Sequence, residues 1–120
     1  MMKESIAVTK AYDFALSVIE LHKALKQAKE FEISKQLLRS ATSIGANLEE
    51  ARAAISKKDF ISKVSIASKE AREAMYWLRI LNDSRLIEFD YTSLLFKIEE
   101  LVKITTATVK TAQKNLNSKL

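Results

Sequence analysis

Across 120 residues the chain carries one glycine, Gly45, and no proline. That scarcity constrains the fold more than any motif does. Sheets need frequent tight turns, and tight turns lean on glycine for positive φ and on proline for a fixed φ, so a β-sandwich or barrel is excluded. Phosphate-cradling loops built on several glycines are excluded for the same reason. There is no cysteine, which removes disulfides, thiolate metal sites and thiolate nucleophiles. Apolar residues at 48% and charged residues at 29% supply both a core and a solvated surface. The expectation is an all-α fold in one domain spanning residues 1–120.

Apolar residues recur with alternating steps of three and four in four segments. Ala11, Phe14, Val18, Leu21 and Leu25 mark a first helix from about Ile6 to Lys29. Leu37, Ala41, Ile44, Leu48, Ala51 and Ile55 mark a second, and Phe60, Val64, Ala67, Ala71, Ala74, Leu78 and Leu81 a third. Leu94, Ile98, Leu101, Thr105, Thr108 and Ala112 mark a fourth, weakened at its threonines. Such seams belong to helices packed at shallow angles. The breaks are short: Lys29–Ile33, Ser56–Asp59 and Asn82–Ser84. Short connections force neighbours to run antiparallel, so an up-down-up-down four-helix bundle is predicted. Ser34 or Glu32 is expected to cap the second helix and Asp90 the fourth. Ser56 and Asp59 have the spacing of a capping box, and Asp59 is also expected to pair with Lys63 four residues on.

The second helix departs from an ordinary surface helix. Ser40 to Leu48 contains no charge, and Gly45 within a helix costs about 1 kcal/mol relative to alanine. Close approach of another backbone is the simplest compensation. Arg39, Ser43, Asn47 and Glu50, with Gln36, are placed opposite the core seam, either as a solvated polar face or as a surface buried against another subunit. At 100° per residue, Ile66, Trp77 and Ile80 form a second apolar face on the third helix, about 100–160° from its seam. Tryptophan is enriched in such interfaces. The alternative is that Trp77 covers the edge of its own core; the reading adopted is an oligomer interface made of Arg39, Ser43, Gly45, Asn47, Glu50, Ile66, Trp77 and Ile80.

Lysine and arginine number 20 against 15 acids, a net charge of +5. From Lys57 to Leu86 there are seven bases and four acids, and the last twenty residues carry Lys103, Lys110, Lys114 and Lys119 with no acid. Helix dipoles alone favour cations near a C-terminus. Repeated over an oligomer, the same charge becomes a field suited to RNA or DNA phosphates. Lys57, Lys58, Lys63, Lys69, Arg72, Lys110 and Lys114 are the candidate contacts. The signal is non-specific, because no aromatic–basic alternation of a single-strand reader appears. The competing class is a protein-interaction scaffold that binds no nucleic acid.

Catalysis finds little support. The one histidine, His22, is read as a packing residue; it lacks the partner ligands of a metal site and has no nucleophile elbow to serve. No enzyme activity, metal or cofactor is expected. The opening residues Met1 to Glu4 lead into a mixed segment unlike a signal peptide, and the longest apolar run, Ala74–Leu78, is too short to span a bilayer. A cytoplasmic protein with no membrane partner is expected.

Two stretches carry a family resemblance. Ser34 to Ala51 (SKQLLRSATSIGANLEEA) and Lys58 to Leu81 (KDFISKVSIASKEAREAMYWLRIL) resemble the signatures of the 23S rRNA intervening-sequence proteins. The resemblance implies an up-down four-helix bundle that assembles into a ring, typically a homopentamer, and it implies no established activity. A related branch is the accessory variability protein of diversity-generating retroelements. That branch would imply binding to nucleic acid and to a reverse transcriptase.

Overall fold

The computed structural model describes the backbone of residues 2–117 and the side chains of residues 6–117. Four helices follow one another: α1 (Met2–Gln27), α2 (Phe31–Arg52), α3 (Lys57–Ser84) and α4 (Thr92–Asn117). Each packs on its sequence neighbours and α4 returns to α1, while the backbones of the diagonal pairs stay farther apart, so the helices stand at the corners of a square. The predicted seams are the core: Phe14, Val18, Leu21, Ile44, Ala71, Leu78, Ile98 and Leu101 are fully buried. Ala67, Ala71 and Ala74 on α3 are fully buried in the core, where small side chains let helices approach closely. The threonines of α4 do not break its stripe. Thr105 is buried and donates its hydroxyl to the Leu101 carbonyl at 2.8 Å, and Thr108 does the same to Ile104 at 2.8 Å. A hydroxyl satisfied within its own helix can enter the core without a stranded donor.

Helix ends follow local chemistry, with two departures from expectation. Ser56 Oγ accepts the Asp59 N–H at 3.0 Å and starts α3. Asp59 Oδ2 in return accepts the Ile55 N–H at 3.2 Å, and Lys63 reaches Glu50 on α2 at 3.4 Å instead of the expected Asp59. Asp59 is occupied in capping, which explains the change. Asp90 Oδ1 accepts the Thr92 N–H at 3.0 Å at the head of α4.

The second departure is at α2, which begins at Phe31 behind Glu30 with no side-chain cap. Neither Ser34 nor Glu32 caps it. Ser34 is buried inside the helix, with Oγ 2.5 Å from His22 Nδ1 on α1.

Two helices end on left-handed residues that are not glycine. Lys29 (φ 62°) closes a Schellman motif in which Glu30 N–H donates to Leu25 and Lys29 N–H to Lys26, at 2.9 and 3.0 Å. Arg85 (φ 53°) donates its N–H to the Leu81 carbonyl at 3.2 Å and ends α3. With one glycine in the chain, these junctions hold lysine and arginine where glycine is preferred.

Candidate nucleic-acid interface

The basic candidates lie on α3 and α4, whose antiparallel packing sets the first half of one beside the second half of the other. Lys57 and Lys58 occupy the exposed first turn of α3. Lys63 leans toward α2 and pairs with Glu50, whereas Lys69 is exposed. Arg72 Nη2 donates to Thr106 Oγ1 at 3.0 Å, tying α3 to α4 midway along the shared face. Lys103, Lys110 and Lys114 are all exposed on α4 and fall within about 60° of one another at 100° per residue. Lys119 lies outside the described residues. Residues 57–72 and 103–117 together hold eight bases and two acids. That half of the α3–α4 pair therefore carries a charge of +6, more than the net +5 of the whole chain.

The residues assigned to an oligomer interface divide into two places. Arg39 and Glu50 are exposed and reach α3 through ion pairs with Glu73 and Lys63, whereas Ser43 and Asn47 are partly buried and bonded to each other within α2. Arg39 Nη2 reaches Glu73 Oε2 at 3.0 Å, the same oxygen that accepts Trp77 Nε1–H at 3.1 Å. Asn47 Nδ2 donates to the Ser43 carbonyl at 2.9 Å. Trp77 is half-buried against the core, and Ile66 and Ile80 are partly exposed on α3. The α2 stripe and the α3 stripe, read separately from the sequence, thus flank one intramolecular border. Gly45 lies on the other side of α2, facing α1. A Cβ built there would meet the Ala11 Cβ at 3.6 Å, an ordinary contact, so packing within the chain does not require its absence.

A surface that the sequence reading missed lies beside Gly45. Val8, Ala11, Tyr12, Ala15, Leu16 and Ile19 of α1, with Thr42, Gly45, Ala46 and Glu49 of α2, line an apolar groove of about 430 Å³. Tyr12 and Leu16 are 67% and 50% exposed. The signal was present in α1, where Val8, Tyr12, Leu16 and Ile19 carry the apolar arc well beyond the core stripe at 100° per residue.

Among the described residues no three of His, Asp and Glu converge as metal ligands. At the α3–α4 turn the Tyr91 hydroxyl is buried with no hydrogen-bond partner among the described residues, and burial pushes its pKa up against the opposing pull of the Arg85 charge. Asp90 titrates below its ordinary value because the Thr92 N–H and hydroxyl bond to its carboxylate. Among the described residues no helix is long and apolar enough to cross a membrane.

The sequence profile described as 23S rRNA-intervening sequence protein matches residues 3–107. The chain belongs to that family. The match takes in α2, α3 and most of α4 but stops before Lys110 and Lys114. A crystal structure of a protein of unknown function from the S23 ribosomal protein family of Bacteroides thetaiotaomicron is similar to this member. The two are 42% identical, with a TM-score of 0.84 over 90% of this chain and 98% of the other. No curated protein matches this chain.

Proposed function

We propose that this family member is a non-catalytic, self-associating helical bundle that binds the phosphate backbone of nucleic acid through the basic half of its α3–α4 face. The observation that carries the reading is the eight bases and two acids gathered there. Several phosphate contacts repeated over an assembly gain affinity by linkage, provided one polymer spans them. Affinity for RNA or DNA of unrelated sequence should fall with salt, at a log–log slope of about −0.9 per phosphate neutralised on a duplex. Replacing Lys58, Lys69 and Lys110 together by alanine should weaken binding to all sequences about equally and flatten that slope, with the assembled mass unchanged. Light scattering should give the wild type a mass several times 13.6 kDa. A wild type that stays monomeric, or that binds neither RNA nor DNA at low salt, would refute the proposal.

The apolar groove between α1 and α2 favours the second reading, a protein-interaction scaffold. On that reading Tyr12 and Leu16 receive a partner, and Leu16→Ser abolishes the interaction without altering nucleic-acid binding.

A further inference from the structure

Helical period sets an aromatic among basic residues on the outer side of α3, and the fold brings lysines of α4 alongside. At 100° per residue, Lys69, Arg72, Tyr76 and Arg79 lie within an arc of about 80° on the outer side of α3. All four are exposed, Tyr76 to 59%. The Arg72–Thr106 hydrogen bond fixes how α4 lies alongside. Lys103 falls about one turn from that crossing on the Tyr76 side, and Lys110 about one turn away on the Lys69 side. Tyr76 therefore stands at the edge of the basic half, with Lys69, Arg72 and Arg79 on its own helix and Lys103 on α4 on one side, and the acids Glu73 and Asp83 on the other. Beside it Tyr76, Arg79, Ile80, Asp83 and Ser84 line a shallow groove of about 490 Å³. Trp77 meets the Tyr76 ring edge-on, centroids 5.7 Å apart, and supports it from the α2 side.

We infer that this face takes single-stranded nucleic acid, with one base stacked on Tyr76 and the phosphates on either side held by Lys69, Arg72, Arg79, Lys103 and Lys110. The inference rests on the backbone-binding reading above and adds to it a strand state and a stacking residue. A duplex keeps its bases inside and can use only the cations, whereas a single strand offers a π-face to the ring. Asp83 closes the far end of the groove, so the strand leaves toward Lys69 and the basic half of the bundle.

The chain has one tryptophan, Trp77, in contact with Tyr76, so its emission reports on the site directly. Oligothymidine and a mixed-sequence DNA duplex are each titrated into the assembled wild type, Tyr76→Ala and Tyr76→Phe, with anisotropy and Trp77 emission as readouts. Oligothymidine should quench Trp77 in the wild type and the duplex should not. Tyr76→Ala should lose roughly 5- to 150-fold in affinity for oligothymidine, the range for one base stacked on an aromatic. Its affinity for the duplex should hold, and Tyr76→Phe should recover the single-strand affinity. The inference is overturned if both polymers bind and Tyr76→Ala is indifferent, or if it loses both equally. It is also overturned if Tyr76→Ala lowers the assembled mass, which would place the ring in contact with another subunit or protein. A wild type that retains neither polymer overturns the backbone reading as well, so the two failures are distinct.

Discussion

Gly45→Ala should stabilise the bundle. Gly45 sits inside α2 with ordinary helical φ, and alanine there avoids the backbone entropy that glycine loses on folding, about 0.8–1 kcal/mol. The new methyl would meet Ala11 at 3.6 Å, close enough for dispersion and too far for a clash. No strain offsets the gain, so the expected change is about 1 kcal/mol. With roughly 2.1 cal/mol/K of unfolding entropy per residue, a chain of this length gains about 4 °C in Tm. Circular dichroism melts and urea titrations measure this directly. They need two protein concentrations, because association makes Tm concentration-dependent. A loss of more than about 0.5 kcal/mol at both concentrations would mean that α1 and α2 lie closer than described, and the reasoning would fail. Should the variant gain stability per subunit while its assembled mass falls, the missing side chain serves the contact between subunits and not the fold.

Arg85→Gly should stabilise the end of α3 by about 0.5–1 kcal/mol, since glycine adopts φ near 53° without the Cβ penalty, and a urea midpoint reads it. The same change removes the cation that holds Tyr91 down, so ultraviolet titration should show the Tyr91 pKa rising further. Asp90 has its folded pKa below the ordinary 3.8, so the stability it confers is present above that value and lost as pH falls through the folded pKa. Asp90→Asn keeps an oxygen for the Thr92 N–H and removes the charge, so acid unfolding should depend less steeply on pH in that window.

Helix number, length and the inward stripes were legible in the sequence because helical period is a local property: residues three and four apart share a face whatever the rest of the chain does. Ser56 as a cap was legible for the same reason, since its partner lies three residues away. What a stripe faces is not local. Ser34 looked like a cap by composition, but α1 brings His22 against it and the helix continues past it. Arg39 and Glu50 looked free for another subunit, yet α3 supplies Glu73 and Lys63 from the same chain. Lys63 found Glu50, not Asp59, because a cap had already taken the nearer acid. The apolar excess of α1 was visible as composition, but only the position of α2 makes a groove of it. Lys69, Arg72, Tyr76 and Arg79 share a face by helical period alone. Lys103 and Lys110 join them only because α4 returns antiparallel beside α3. Periodicity is written by backbone geometry over a single turn, whereas neighbours across a seam are chosen by the burial of whole faces, to which residues far apart in the chain contribute together.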